Sequence, residues 1–195
     1  MSNPAVARDP APPTTLTAAQ QRVVDAALKL FSRHGVGGTS LQMIADEIGV
    51  TKAAVYHQYR TKDQIVLAAA EAELANVEQV VRNAEAWPPG RKAQGALVEG
   101  IVDLAIARRR EMGTILTDPV IADHFESDAV FADVMHRLRR LMTGDESGPE
   151  ARVRTATLIA AISGAVMHPF VAGLDDEVLR VELLRLARRF LGLPN

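Results

Sequence analysis

Lys52, Tyr56 and His57 fall within six consecutive residues, and each carries a donor suited to a polyanion. A lysine ammonium reaches phosphates or guanine edges, a tyrosine hydroxyl donates to phosphate, and a histidine ring donates to backbone or base. No acidic residue stands between Thr51 and Tyr59, so the face carrying these groups can approach a nucleic acid without repelling it. Other chemistry has weaker footing. Asp118, Asp123, His124 and Glu126 gather carboxylates and an imidazole, but their spacing matches no metal motif. The chain has no HExxH, no phosphate-binding glycine loop and no nucleophile elbow, and its zero cysteines exclude a thiolate zinc site and thiol-based redox sensing. His124, His136 and His168 therefore read as surface or packing residues. No metal, cofactor or catalytic residue is expected, and the chain does not read as an enzyme.

The elements that must position Lys52, Tyr56 and His57 run from Thr39 to Tyr59 and read as two short helices joined by a tight turn. Thr39 is expected to cap the first, with Gln42 three residues on completing a capping box. Leu41, Ile44, Ala45 and Ile48 then recur on one face. Gly49 suits the left-handed backbone that ends a helix, and Val50 can fold back as an apolar plug. Thr51 caps the second helix. Its small Ala53 and Ala54 allow close approach, and Val55 is the inward anchor. Two amphipathic helices around a glycine occur in many helical domains, so the flanks must decide.

The flanks read VVDAALKLFSRHGVGGTSL before the motif and RTKDQIV after it, around a central IADEIGVTKAAVYHQY. Over about Gln21 to Ala68 this order resembles the DNA-binding domain of the TetR family of transcriptional regulators. The family's Phe closing helix 1, its Gly before the Thr of helix 2, its Tyr in helix 3 and its Lys entering helix 4 match Phe31, Gly38, Thr39, Tyr56 and Lys62. The chain departs from the family's commoner Phe at Tyr59. The resemblance implies an all-α fold, with a three-helix DNA-binding domain containing the helix-turn-helix followed by a larger helical ligand-binding and dimerisation domain. The candidate DNA contacts are Thr39, Ser40, Gln42, Thr51, Lys52, Ala53, Tyr56, His57, Tyr59 and Lys62.

Charge agrees with that division. The 195 residues carry a net charge of -2, but through Ala70 seven Lys or Arg face five Asp or Glu, whereas the remainder has fifteen against nineteen. A basic reader thus precedes an acidic body. No apolar run approaches the roughly 18 residues of a membrane span and the proline-rich start lacks a signal-peptide core, so a soluble cytoplasmic protein without membrane association is expected.

In chain order, residues 1–17 form a proline-rich arm, 18–64 the DNA-binding domain and 65–195 the body. Arg8 is a thin candidate for minor-groove contact. Helix 1 is expected from Ala18 to Ser32 or Arg33, ended by HGVGG, with Arg22, Lys29 and Arg33 facing water or DNA. Thr61 and Gln64 form a second capping box and place Lys62 in the first turn of helix 4, a long alanine-rich link towards Asn83. Trp87-Pro88-Pro89-Gly90 interrupts before helix 5, which is apolar enough to sit centrally. The run Arg108-Arg109-Arg110 reads as a solvated helix end or an intramolecular pairing site. Asp118-Pro119 can start a short helix, Asp128 the next, Pro149 a long one that Pro169 ends or kinks, and Asp175 the last.

The last two long helices carry surplus apolar surface, and the resemblance implies that they pair with a symmetry mate in a homodimer. It also implies a small-molecule effector in the body, with Trp87, Leu104, Met112, Phe125, Met135, Ile162, Met167, His168 and Phe170 as candidate lining. Their scarcity of fixed charge favours an apolar or aromatic effector. The reading is a repressor that binds a palindromic double-stranded DNA operator as a homodimer and is released by the effector. The alternatives are a small helical ligand-binding enzyme and a helical protein-interaction module.

Overall fold

The computed structural model describes residues 16–109, 125, 128–146 and 148–194, and every regular element within them is helical. The arm through residue 15, with Arg8, lies outside the described residues, as do Arg110, Met112, Asp118, Pro119, Asp123, His124 and Glu126. The elements are α1 (Ala18–Gly38), α2 (Leu41–Ile48), α3 (Lys52–Gln58), α4 (Lys62–Glu85), α5 (Arg91–Ala107), α6 (Ala129–Thr143), α7 (Pro149–Met167), a 3-10 turn (Pro169–Val171) and α8 (Asp176–Phe190).

Local chemistry sets most of the boundaries. Thr17, expected to end the arm, instead caps α1: its hydroxyl accepts from the Gln20 N–H at 3.2 Å, and Gln20 accepts from the Thr17 N–H at 3.0 Å. The Thr-x-x-Gln spacing of this reciprocal cap is visible in the sequence. Of the three glycines in HGVGG only Gly35 takes a positive φ, 72°, and there the helical path of α1 breaks. Asp128 caps α6 by accepting from the Phe131 N–H at 2.7 Å, and Asp175 caps α8 through the Glu177 N–H at 2.9 Å. Pro149 occupies the first turn of α7, and that helix ends at Met167, ahead of Pro169, with His168 in extended backbone.

Two apolar cores result. The first joins α1, α2 and α3 to the opening turns of α4, from Val23 to Ala70. Phe31, Ile44, Val55 and Ile65 are fully buried in it, and each such side chain contributes about 1.5–3 kcal/mol. The second core gathers the far half of α4 with α5, α6, α7 and α8. Helix α5 lies at its centre, packed on α4, α6, α7 and α8, in keeping with its continuous apolar run. With 24 residues, α4 is about 36 Å long and contributes to both cores.

Between the cores the chain buries a charge. Glu73 of α4 is buried, accepts from Asn76 at 3.3 Å and lies 3.3 Å from the Arg108 guanidinium at the end of α5. A buried carboxylate without such partners would cost several kcal/mol. Arg109 pairs with Asp176 of α8 at 2.9 Å, so the described part of the arginine run is an intramolecular pairing site. Phe125, ahead of α6, packs on the first core and stacks on Phe131 with ring centroids 4.6 Å apart.

Candidate nucleic-acid interface

The turn between α2 and α3 is built as its residues require. Gly49 adopts φ 69° and ψ 36°, and its N–H donates to Asp46 O at 3.3 Å while the Val50 N–H donates to Ala45 O at 2.9 Å. These two bonds satisfy the carbonyls that close α2, and Val50 packs back on the first core. Arg22 of α1 adds a bond to the Ile48 carbonyl at 3.3 Å, an α2 contact in place of a purely solvated or DNA-facing role. The Thr51 hydroxyl then accepts from the Ala54 N–H at 3.2 Å and starts α3.

Inside α3 only Val55 is buried; it seats the helix on the first core and turns Lys52, Ala53, Ala54, Tyr56 and His57 to solvent. The small Ala53 and Ala54 therefore keep the outer surface low, where a duplex would approach, rather than tightening the contact with α2. Arg60 joins this face: its guanidinium lies 4.9 Å from the centroid of the half-exposed Tyr56 ring. Such a stack holds the ring and adds a fixed positive charge beside it. Arg60 is missing from the contacts expected from sequence, although its i, i+4 spacing from Tyr56 is a visible signal.

Three expectations about the flanks need correction. Ser40, not Thr39, caps α2: its hydroxyl accepts from the Met43 N–H at 3.2 Å. Thr39 is 2% exposed and donates its hydroxyl to Gly35 O at 2.9 Å, closing the broken end of α1. Gln42 is exposed but bonds Asp46 at 2.8 Å, so no capping box forms there. The Thr61 hydroxyl does accept from Gln64 N–H, but Gln64 returns its bond to the Arg60 N–H at 2.7 Å instead of to Thr61.

Tyr59 and Lys62 are engaged within the fold. Tyr59 is 7% exposed within the first core, and its hydroxyl is buried without a hydrogen-bond partner among the described residues. Burial, and secondarily the Glu71 carboxylate, pushes its ionisation upward. Lys62 is half-buried, with Nζ donating to Val36 O at 2.6 Å and Gly37 O at 3.4 Å. It thus ties the start of α4 to the end of α1, where the sequence alone suggests phosphate contact or free solvation. Its ammonium supplies donors that the backbone after Gly35 lacks.

The proposed effector residues do not converge. Ile162 is buried in the second core, and Met135 packs against that core from its edge. Phe125 belongs to the first core, whereas Phe170 is 92% exposed, beside His168 at 4.7 Å between ring centroids. Met167 is also exposed, Leu104 is half-buried, and Met112 lies outside the described residues. Of the described members of the set, Trp87 lines a cavity of about 480 Å³, together with Arg91, Lys92, Gly95, Ala96, Glu99, Arg188, Leu193 and Pro194. Apolar and aromatic types are interchangeable between core and cavity, which is why spacing could not separate them. Among the described residues no group of three His, Asp or Glu is placed to hold a metal ion, and no helix is long and apolar enough to cross a membrane.

Residues 23–69, spanning α1 to the opening of α4, match the sequence profile described as "Bacterial regulatory proteins, tetR family". The HTH-type transcriptional repressor AcnR of Corynebacterium diphtheriae is 27% identical over 138 residues, covering 65% of this chain and 67% of that one. The nicotine-responsive repressor HdnoR of Paenarthrobacter nicotinovorans is 35% identical over 85 residues, covering 44% of this chain but only 42% of its own length. In fold, the TetR family regulator PfmR of Thermus thermophilus superposes with a TM-score of 0.69 at 18% identity, over 92% of this chain and 99% of that one. Residues 23–69 thus match the DNA-binding domain of the tetR family in sequence, and the chain as a whole shares the all-helical fold of solved TetR family regulators.

Proposed function

We propose that two copies of this chain bind a palindromic DNA operator, setting their α3 helices in successive major grooves roughly 34 Å apart. The single observation that carries this reading is the outward face of α3, where Lys52, Ala53, Tyr56 and His57 are exposed beside Arg60 with no carboxylate in the helix. Lys52 and His57 sit where base edges can be read, with Tyr56 and Arg60 beside them for phosphates. Thr51 and Ser40, at the starts of α3 and α2, add exposed backbone and hydroxyl groups at helix N-termini, where phosphate is favoured.

Pairing is assigned to α7 and α8. Leu179, Leu183 and Ala187 turn one face of α8 into the second core, and Arg180–Asp103 and Arg188–Glu99 tie it to α5 at 2.6 Å and 2.5 Å. Val178, Val181, Leu186 and Phe190 of α8 remain exposed, as does Val153 of α7. An apolar face of this extent suits a four-helix interface between two copies. The bound dimer would repress by obstructing transcription. A small, largely apolar or aromatic effector in the body would favour another tilt of α4 and lower operator affinity, the tilt passing through a helix that belongs to both cores. Selection of genomic fragments with the purified protein, followed by footprinting, tests the reading. Protection of two half-sites about one helical turn apart is expected; no enrichment and no protection at low salt would end it.

A further inference from the structure

We propose that the groove at the far end of the body, remote from α3, is a binding site for a small aromatic carboxylate. The groove holds about 480 Å³ between the turn after α4, the first turns of α5 and the C-terminal end of α8, a volume in the range of small-molecule sites. Its lining includes Arg91, Lys92 and Arg188 against one carboxylate, Glu99. Glu99 is already paired with Arg188 at 2.5 Å. Arg91 spends one N–H on the neutral Gly192 carbonyl at 3.1 Å and pairs with no carboxylate among the described residues. Lys92 lies 5.9 Å from the Trp87 ring centroid. Among the described residues, three cations against one carboxylate leave an excess of two positive charges around a space walled by Trp87, Ala96, Leu193 and Pro194.

That combination selects for both halves of one ligand. The half-exposed Trp87 indole, with Lys92 over its ring, offers a flat partner for a planar ring, and Leu193 and Pro194 add apolar wall to the same groove. Arg91 and Lys92 then meet a carboxylate carried by that ring, Arg91 through two parallel donors. A neutral sugar or a neutral aromatic could stack on the indole, but either would leave the two positive charges without a partner. None of its lining residues belongs to the operator-reading face.

The chain supplies its own reporter, because Trp87 is its single tryptophan. Biphenyl-4-carboxylate, titrated into the full-length protein without DNA, is expected to change Trp87 emission saturably and to give one site per chain by calorimetry. The neutral biphenyl-4-carboxamide is expected to bind at least about tenfold more weakly. Arg91→Gln with Lys92→Gln should cost the acid at least about tenfold and leave the amide unchanged. Gly95→Leu should abolish both: Gly95 lines the groove, and a Cβ added there meets nothing within 4 Å, so the fold accepts a side chain that occupies the ligand's space. Each variant is checked for helical content by circular dichroism. Unsaturable emission, equal affinity for acid and amide, or full binding by the charge-neutralised variant would overturn the proposal. Should Gly95→Leu fail to fold, the charge-neutralised pair and the amide decide it.

Discussion

Replacing Lys62 by methionine separates a latch from a phosphate contact. The Nζ of Lys62 donates to Val36 O at 2.6 Å and more weakly to Gly37 O at 3.4 Å, linking α4 to the broken end of α1. Hydrogen bonds to a charged group are worth about 1.5–3 kcal/mol each, and only the shorter bond has good length, so a loss of about 2 kcal/mol is expected. In a chain of this size that lowers Tm by roughly 4–8 °C, read by thermal melts and urea titration of parent and Lys62→Met. Operator affinity should fall as well, because the turn that positions α2 loosens. The salt dependence discriminates. Each phosphate neutralised contributes about -0.9 to the slope of log Kobs against log salt, so a dimer using both lysines on DNA would lose about 1.8 on substitution. A latch leaves the slope unchanged. Unaltered stability together with the loss of slope would refute the latch and restore phosphate contact.

Four further perturbations test the geometry. Tyr59→Phe removes a buried hydroxyl without a partner and should raise stability by about 1 kcal/mol; a higher urea midpoint at unchanged m is the expected readout. Because burial raises the Tyr59 ionisation in the folded chain, parent stability should hold below the unfolded value near pH 10 and fall above it, and this tyrosine's share of the alkaline loss should vanish in the phenylalanine variant. Glu85, held below its ordinary range chiefly by its hydrogen bond to Arg137, contributes stability above the unfolded value near pH 4.3 that disappears as pH falls through the folded one, so melts of Glu85→Gln should lose less than the parent between about pH 5 and 3. Gly100→Ala would put a Cβ 2.6 Å from Val80 Cγ1, and despite better helix propensity it should cost about 1–2 kcal/mol by forcing α4 and α5 apart. Charging the outward face of α8 with Val181→Glu and Leu186→Glu should convert the proposed dimer to monomer in analytical ultracentrifugation while leaving the helical content intact.

Much of the fold was legible because it follows from bonds between near neighbours. Gly49, Thr51, Asp128, Pro149, Pro169 and Asp175 each act on a backbone group within a few residues, so their types and order suffice to mark helix ends. Val55 could be singled out as the anchor of α3 by its place among small and polar neighbours, and the outward set Lys52, Tyr56 and His57 followed. The same locality made Arg60 findable beside Tyr56.

Where a side chain had two competent partners, the choice fell to groups distant in the chain. Thr39 and Ser40 are both able to cap α2; packing against the first core buries Thr39 and leaves Ser40 the role. Lys62 and Tyr59 carry donors that suit phosphate, but carbonyls 26 and 25 residues earlier claim one and the α1–α4 core encloses the other. Whether Trp87, Phe125 or Ile162 lines a cavity or fills a core depends on which helices stand opposite, and periodicity within one helix is blind to its neighbours. Local hydrogen bonding is written in adjacent residues; burial and charge pairing are settled only when separate helices meet.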